Sequence, residues 1–470
     1  MVAISSENCI EFFIPIIAAM YIGACVAPIS HNYTKNETIH ALNISRPNVI
    51  FCSQQESSKY IDMKKELNFI EKIIIIDNPK SGGGGIDSIN SFIERSLGKS
   101  DLLYKFEPDA VDVDNHVSFI LYSSGTTGLP KGVMITDRNV LTKFMHGDDP
   151  RLLLQVEDRC TFGFLPFFHA YGLFVGLSSI YKKTKIIVLR KFEENLFLRI
   201  IEKYKITALP LVPPLAVFLA KSPLVNKYDL SSVVEVGCGA APLSKEIEEL
   251  VKKRLKIKNI QQAYGLTEAT LALMGMPVGE QRHGSSGKIY PYITCKVRHP
   301  ETGKSLGPNQ VGELCFKGPL IMKGYYGDEQ STRNTFTSDG WLLTGDLGYY
   351  DNEEYFYIVG RLKELIKYKG FQVPPAELEK ILLTNPEIKD AAVVGLPDEE
   401  AGELPLAFIV KNPNFNITED EVKQFVAKRV SPQKRLRGGV IFVPEIPKNP
   451  SGKILRRKLQ EQLTKYKSKL

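Results

Sequence analysis

Hydroxyl groups, glycines and one lysine are concentrated in the stretch Leu121-Tyr-Ser-Ser-Gly-Thr-Thr-Gly-Leu-Pro-Lys-Gly-Val133. The segment before it, 117–122, is apolar and rich in β-formers, which predicts a buried strand. Glycine lets backbone N–H groups approach an anion, hydroxyls add donors, and lysine adds a point charge. We therefore predict a phosphate-binding loop. Its candidate residues are Ser123, Ser124, Gly125, Thr126, Thr127, Gly128 and Lys131. The spacing differs from G-x-x-x-x-G-K-[ST], which excludes a Walker A loop.

A second polar motif, Gln262-Ala-Tyr-Gly-Leu-Thr-Glu268, combines three chemistries in seven residues. Tyr264 can stack on a purine, Thr267 can reach an α-phosphate, and Glu268 is a hard oxygen ligand suited to Mg²⁺. An ordinary polar turn would explain one or two of these residues but not the set. The two motifs together resemble the nucleotide signatures of the adenylate-forming superfamily, which contains acyl-CoA synthetases, 4-coumarate–CoA ligases and beetle luciferases.

The resemblance implies ATP, Mg²⁺ and coenzyme A, and it assigns further residues along the chain. Gly239, Ala240, Ala241 and Pro242 would form one wall of the adenine pocket, and Gly265 would belong to the same nucleotide site. Asp346 would accept the ribose hydroxyls, and Arg361 would contact ribose and phosphate. His169, in Phe164-Leu-Pro-Phe-Phe-His-Ala-Tyr-Gly-Leu173, would gate the acyl pocket, although a lone histidine between aromatic residues is more often part of a core.

The resemblance also implies two half-reactions served by one hinge. A carboxylate first attacks the α-phosphorus of ATP, with Lys453 of the motif Pro447-Lys-Asn-Pro-Ser-Gly-Lys-Ile-Leu455 neutralising charge. The small domain then rotates, and the thiolate of coenzyme A expels AMP. The residues expected to arrive for this second step are Lys367, Lys369, Gly370, Phe371 and Gln372. Superfamily members often carry aspartate where this chain has Gly360, and glycine makes the rotation less well defined.

The segment Val233-Val-Glu-Val-Gly-Cys-Gly-Ala-Ala-Pro-Leu243 offers a different hypothesis, a nicotinamide-dependent enzyme. It partly imitates the fingerprint G-x-G-x-x-G. However, Pro242 replaces the third glycine, and no acidic residue follows about 20 positions later to bind a ribose. Pro242 is instead expected in the first turn of a helix.

Bulk properties exclude several classes of protein. A net charge of +7 without a recognised nucleic-acid motif gives no support to nucleic-acid binding. Seven dispersed cysteines without C-x-x-C predict neither a metal site nor a disulfide framework. The apolar run 10–28 carries Glu11, Pro15 and a break at Gly23, so it predicts a buried helix and strand and no membrane span. The terminal Ser468-Lys469-Leu470 predicts recognition by the peroxisomal import receptor, and hence a peroxisomal location.

The strand–helix–strand rhythm of residues 47–77 predicts an α/β fold. The resemblance specifies a large N-terminal domain of stacked α/β sheets with a distorted β-barrel, residues 1–359, and a small mobile α+β domain, residues 360–470. Superfamily members have several dozen residues ahead of the position that matches Val2. The large domain is therefore expected to be shortened, as a fragment, a truncated gene model or a short isoform.

Within the superfamily, the stretches Lys-Tyr-Asp-Leu-Ser231, Ala-Pro-Leu-Ser-Lys245 and Leu-Arg-Gly-Gly-Val440 resemble the beetle luciferases and their insect relatives that act on fatty acids. Lys143 stands where luciferases carry an arginine, and Cys238 and Leu271 stand where they carry serines. These departures favour a fatty acyl-CoA synthetase of medium- or long-chain acids. A luciferin monooxygenase, a 4-coumarate-type ligase and an inactive binding protein remain alternatives.

Overall fold

A computed structural model describes residues 1–77, 86–97, 106–123, 130–258, 260–413, 415–449 and 452–467 of the chain. The first elements alternate between strand and helix. They are β1 (Val2–Ser5), α1 (Phe13–Tyr21), β2 (Val26–Pro28), α2 (Lys35–Ser45), β3 (Val49–Cys52), α3 (Ser57–Glu66), β4 (Lys72–Ile75), β5 (Asp87–Ser88), α4 (Ile89–Leu97), β6 (Val117–Ser123), β7 (Lys131–Thr136) and α5 (Asp137–Asp148). The strands form one sheet in the order β7-β6-β2-β1-β3-β4-β5, parallel except for the β6–β7 hairpin.

The apolar run near the N-terminus forms the predicted helix and strand. Helix α1 buries Phe13 and Ile16, and β2 is buried along its whole length. Among the described residues, no helix is long and apolar enough to cross a membrane.

A second sheet follows the same alternation of strand and helix. Its elements are β8 (Cys160–Gly163), α6 (Ala170–Tyr181), β9 (Lys185–Val188), α7 (Glu194–Tyr204), β10 (Ala208–Leu211), α8 (Pro213–Lys221), β11 (Glu235–Cys238), α9 (Lys245–Leu255), β12 (Ile260–Gly265), β13 (Ala272–Gly275) and β14 (Lys288–Ile289). The strand order is β14-β13-β12-β11-β10-β8-β9. Strands β10, β11 and β12 are parallel, so their carboxyl ends lie at one edge, where α/β proteins bind ligands.

The position expected for Pro242 was wrong. Helix α9 begins at Lys245, and Ser244 is its N-cap, with the side-chain oxygen accepting from the N–H of Ile247. A serine cap satisfies a free N–H group at the helix start. Pro242 therefore precedes the cap and belongs to the loop after β11.

A third sheet is entirely antiparallel. This part of the chain contains β15 (Thr294–Arg298), β16 (Ser305–Leu306), β17 (Gly312–Lys317), β18 (Gly324–Tyr325), α10 (Glu329–Thr335), β19 (Leu342–Tyr350) and β20 (Phe356–Arg361). The order β16-β15-β17-β19-β20 occupies the place of the expected distorted barrel. Strand β18 is not part of this sheet. It pairs with β7 of the first sheet, which brings Tyr325 beside the phosphate loop.

The C-terminal part of the chain has its own sheet and core. Its elements are β21 (Ile366–Tyr368), β22 (Phe371–Val373), α11 (Pro375–Leu383), β23 (Ile388–Asp398), β24 (Gly402–Lys411), α12 (Glu419–Ala427), β25 (Gly439–Phe442) and α13 (Arg456–Lys467). Val373, Leu378, Val393 and Ile409 are buried together. The fold-class prediction is confirmed. The division at 359/360 remains a prediction, and β20 of the third sheet extends through Arg361.

Candidate active site

A cavity of about 1740 Å³ lies where the sheets of the large N-terminal part meet the C-terminal domain. Its walls include the loop after β11, the turn after β12, strand β19 and the segment around Lys453. The sequence motifs are far apart along the chain, and the fold brings most of their described members to this one space. Predicted site residues that line it are Ser123, Lys131, His169, Gly239, Ala240, Ala241, Pro242, Tyr264, Gly265, Thr267, Glu268, Asp346, Arg361 and Lys453.

The phosphate loop is held by a hairpin. Ser123 ends β6 and pairs in register with Lys131 at the start of β7. The Ser123 hydroxyl is buried without a hydrogen-bond partner in the described part of the structure, so it is free to donate to a phosphate oxygen. The Lys131 ammonium donates to the Ser331 hydroxyl at 2.6 Å and lies 4.9 Å from the centre of the Tyr325 ring. The residues predicted between them, Ser124, Gly125, Thr126, Thr127 and Gly128, lie outside the described residues.

The turn after β12 places three predicted residues on the cavity wall. Thr267 and Glu268 occupy a short 3-10 turn, and the Glu268 carboxylate accepts from the Tyr325 hydroxyl at 3.0 Å. Position 265 requires glycine for a steric reason, because a Cβ there would lie 1.6 Å from the carbonyl oxygen of Leu271. The glycine thus permits the close approach of β12 and β13 at a register shift.

Strands β19 and β20 carry the residues expected at the ribose. Asp346 and Arg361 are partners in the strand register, and Arg361 Nε lies 2.6 Å from Asp346 Oδ1. The other carboxylate oxygen accepts from the Tyr264 hydroxyl at 2.7 Å. Burial raises the pKa of Asp346, and the charge of Arg361 opposes that shift. The ion pair with Arg361 thus holds the Asp346 carboxylate beside the ring of Tyr264, where it can accept hydrogen bonds from hydroxyl groups.

Lys453 projects from the C-terminal domain into the same cavity. Burial lowers the pKa of its ammonium, and repulsion by Arg361 adds to this, whereas Glu364, Asp346 and Glu268 act in the opposite direction. Its backbone N–H donates to Asn449 Oδ1 at 2.8 Å. An added Cβ at the preceding Gly452, where φ is +82°, would lie 3.2 Å from Pro214 of α8. The segment therefore packs directly against the large domain.

The residues assigned to the second half-reaction lie elsewhere. Lys367, Lys369, Gly370, Phe371 and Gln372 are exposed on the β21–β22 hairpin, and none of them lines the cavity. Phe371 has 53% of its surface accessible. The two lysines expected to serve opposite half-reactions, Lys453 and Lys367, are thus not at the site together.

His169 is the N-cap residue of α6, next to the aromatic ring of Phe168. Its Nε2 atom is buried and has no hydrogen-bond partner in the described part of the chain. Burial lowers the pKa of the imidazole to about 4, so the ring is neutral near pH 7. A neutral ring facing the cavity fits a gate better than a charge-stabilising role.

A basic region at one end of the cavity contains Lys143, which stands where luciferases carry an arginine. The lining residues here are Lys143 and His146 of α5, Ser178 of α6 and Lys182 after α6. Burial lowers the pKa of Lys143 to about 8, with a further contribution from the charge of Lys182. Lys182 is paired with Asp148 at 3.4 Å. An apolar tail would desolvate the Lys143 ammonium further, so this end favours a polar group.

The donor set fits Mg²⁺ bound together with a nucleotide. Mg²⁺ is commonly held by one or two carboxylates plus substrate phosphates, not by an all-protein cage. Glu268 supplies such a carboxylate near the phosphate loop. The described residues contain no group of three or more His, Cys, Asp or Glu side chains arranged for a metal ion.

Three site residues escaped the sequence analysis: Tyr325, Glu364 and Arg456. Tyr325 reaches the site because β18 joins a distant sheet. Glu364 and Arg456 form an ion pair beside Lys453. In the sequence, Glu364 and Arg456 could be noticed only because they lie close to the motif residues Arg361 and Lys453. That proximity does not reveal that they pair with each other across about ninety positions.

Comparisons with known proteins identify the family of the chain and its relatives. Residues 1–326 match the model of the AMP-binding enzyme family, and residues 377–453 match that of the AMP-binding enzyme C-terminal domain. The chain is 46% identical over 470 residues to luciferin 4-monooxygenase of Photuris pensylvanica, covering 100% of this chain and 86% of the relative. It is 42% identical over 466 residues to 4-coumarate–CoA ligase 1 of Petroselinum crispum, covering 97% of this chain and 83% of the relative.

A solved structure with a similar fold is ATP-bound MatB from Rhodopseudomonas palustris. The TM-score is 0.87 at 26% identity, covering 98% of this chain and 88% of MatB. The apo form of MatB gives a TM-score of 0.75 with the same coverage.

Proposed function

The chain belongs to the AMP-binding enzyme family, and from this premise we propose that it is an ATP-dependent acid–CoA ligase that forms an acyl-AMP and then an acyl-CoA. The observation that carries the proposal is the placement of Lys453 in the cavity beside Asp346, Arg361 and Glu268. Such a cation neutralises charge that develops at the α-phosphorus.

In the first half-reaction, a carboxylate oxygen of the acid attacks the α-phosphorus of ATP, and the bond to pyrophosphate breaks. The protein contributes position and charge more than covalent chemistry. The loop from Ser123 to Lys131 donates to phosphate, Asp346 accepts from ribose, and the loop after β11 flanks the adenine. Glu268 would hold Mg²⁺, which would supply positive charge to the phosphates.

In the second half-reaction, the thiolate of coenzyme A attacks the acyl carbonyl, and AMP leaves. Lys453 must withdraw, and the exposed group Lys367, Lys369, Gly370, Phe371 and Gln372 must reach the cavity. A rotation near Gly360 and Arg361 would exchange them. The higher similarity to ATP-bound MatB than to its apo form supports the assignment of the described arrangement to adenylation.

For the acid itself we propose a medium- or long-chain fatty acid, supported by the size of the cavity and by Leu271 on its wall. The polar end at Lys143 and the 46% identity to a luciferin 4-monooxygenase favour a second candidate, light emission from luciferin. An aromatic acid in a 4-coumarate-type reaction is supported by the 42% identity to the plant ligase.

Acid-dependent exchange of pyrophosphate into ATP tests these proposals on the purified chain. The panel is octanoate, laurate, oleate, 4-coumarate and luciferin, followed by coenzyme A to test ligation. We expect exchange with a fatty acid and subsequent acyl-CoA formation. Exchange with 4-coumarate alone would transfer the assignment to the aromatic ligase, and light with luciferin and oxygen would transfer it to the monooxygenase. No exchange from folded protein would overturn adenylation.

We further propose that the chain is imported into peroxisomes through Ser468-Lys469-Leu470, which lie outside the described residues. A fluorescent protein fused ahead of the chain should colocalise with a peroxisomal marker. Removal of Leu470 should return it to the cytosol, and unchanged peroxisomal location would contradict the receptor assignment.

A further inference from the structure

Arg456 lies three residues after Lys453, at the start of α13, with 16% of its side chain exposed. It contacts carboxylates from two separate elements. Its Nε atom is 3.1 Å from Glu364 Oε2, and its Nη2 atom donates to Glu379 Oε2 at 2.9 Å. The contact with Glu364 is ionic, because Nε makes no hydrogen bond of good geometry.

Both carboxylates belong to elements outside the segment 447–455 that carries Lys453. Glu379 of α11 is buried, and its other oxygen accepts from the backbone N–H of Val393 in β23 at 2.8 Å. Burial raises the pKa of Glu379, and the charge of Arg456 opposes this shift. Glu364 lies in the turn between β20 and β21, three residues after Arg361. Arg456 therefore joins the domain core to the segment that follows the third sheet.

The segment 447–455, which carries Lys453, is held by contacts between its two ends, which form its base. Lys448 and Ile454 form an antiparallel bridge, and the N–H of Leu455 donates to the carbonyl of Pro447 at 2.8 Å. Arg456 is the next residue after Leu455 and therefore adjoins this base. Glu364 also attracts the Lys453 ammonium, so one carboxylate acts on both cations.

We propose that Arg456 is a positioning residue for the first half-reaction, which fixes the base of the 447–455 segment so that Lys453 points at the α-phosphate. This inference rests on the proposed adenylation activity. The planar guanidinium can bind two carboxylates at once, whereas an ammonium is a single point of charge. Arg456 makes no contact with substrate in this role and acts through Lys453.

Arg456→Lys tests the proposal and avoids leaving Glu379 buried without a cation, as alanine would. The matched control is Arg457→Ala, since the Arg457 side chain is 74% exposed and pairs only with Glu461, at 3.1 Å, among the described residues. We expect Arg456→Lys to lower kcat for acyl-AMP formation by roughly ten- to a hundredfold, as misplacement of a catalytic group does. The KM for ATP and the conversion of preformed acyl-AMP to acyl-CoA should stay within about threefold of the wild type, because neither step uses positioned Lys453. Equal losses in both half-reactions, or no loss, would overturn the proposal.

Hydrogen exchange supplies a readout that needs no activity. The amides of Lys453 and Leu455 should exchange faster in Arg456→Lys and at the wild-type rate in Arg457→Ala. Unchanged exchange in Arg456→Lys would refute the positioning role. If wild-type protein adenylates no acid, the proposed function fails, while amide exchange still decides whether Arg456 holds the Lys453 segment.

Discussion

Lys453 offers the sharpest test of the site at the level of a single residue. It is a cation of the C-terminal domain that lines the cavity, whereas Lys367 is exposed on the β21–β22 hairpin. We expect Lys453→Ala to lower acyl-AMP formation by at least about a hundredfold, a loss of about 2.7 kcal/mol of transition-state stabilisation. Thioester formation from preformed acyl-AMP should change by no more than a few-fold.

Lys367→Ala is the converse variant, and exposed Lys458→Ala is the control for a lost charge. Lys367→Ala should slow the coenzyme A step while acid-dependent pyrophosphate release survives. Single-turnover assays of each half-reaction measure both effects. Equal loss of both half-reactions in Lys453→Ala would reject its assignment to adenylation.

The neutral state of His169 predicts acid sensitivity of the fold. Burial lowers the pKa of this imidazole to about 4, whereas an unfolded histidine titrates near 6.5. Between these values the unfolded chain binds a proton that the folded chain does not, so stability falls as the pH falls from about 6.5 toward 4. His169→Asn removes this proton uptake and should lose less stability on acidification.

Denaturant unfolding at pH 7 and at pH 4.5 measures the effect of His169→Asn. We expect the variant to lose on the order of 1–2 kcal/mol less than the wild type between the two pH values, discounted because the imidazole faces the cavity. His146, whose pKa burial also lowers to about 4, should keep its own share of the acid sensitivity. Identical losses in variant and wild type would contradict the assignment.

At the scale of the element, the β12–β13 hairpin depends on one glycine. A Cβ at Gly265 would lie 1.6 Å from the carbonyl oxygen of Leu271 and 2.7 Å from Ala272 Cα. Backbone cannot yield as a flexible side chain can, so Gly265→Ala should destabilise the protein by about 2–4 kcal/mol and displace Tyr264. The unfolding midpoint and the KM for ATP both report this change.

Gly307→Ala is the matched control for Gly265→Ala. Gly307 does not have a positive φ, and among the described residues an added Cβ would meet only Gln310 Nε2, at 4.0 Å. It should stay within about 0.5 kcal/mol of the wild type. If the two alanine variants were equally stable, the steric argument at Gly265 would fail.

Elements with a strong periodic pattern were predictable, and contacts between distant elements were not. The apolar segment before the phosphate loop became β6, and the run near the N-terminus became α1 and β2. Strand β18 is only two residues long, so Gly324 and Tyr325 carry no period that could reveal their transfer to the first sheet. Local sequence likewise gives no signal for the ion pair between Arg456 and Glu364, because the two residues are far apart along the chain and only the tertiary fold brings them together.

At the scale of the molecule, the proposed ligase would use one cavity for two half-reactions, although Lys453 lines this cavity and Lys367 does not. A covalent link between the domains should therefore permit the first step and block the second. Pro214 of α8 and Gly452 are suited to it, because an added Cβ at Gly452 lies 3.2 Å from the Pro214 ring. We expect the oxidised Pro214→Cys/Gly452→Cys enzyme to form one equivalent of acyl-AMP and almost no acyl-CoA.

Reductant should restore thioester formation in the doubly substituted enzyme, and this separates the effect of the link from the strain of a side chain at φ +82°. Oxidised Pro214→Cys alone should complete both half-reactions, which controls for the seven native cysteines. Quench-flow detection of acyl-AMP and acyl-CoA follows each step. If the linked enzyme made acyl-CoA as fast as its reduced form, the second half-reaction would proceed in the described arrangement. The exposed β21–β22 hairpin would then have no part in it, because it cannot reach the cavity without the rotation that the link prevents.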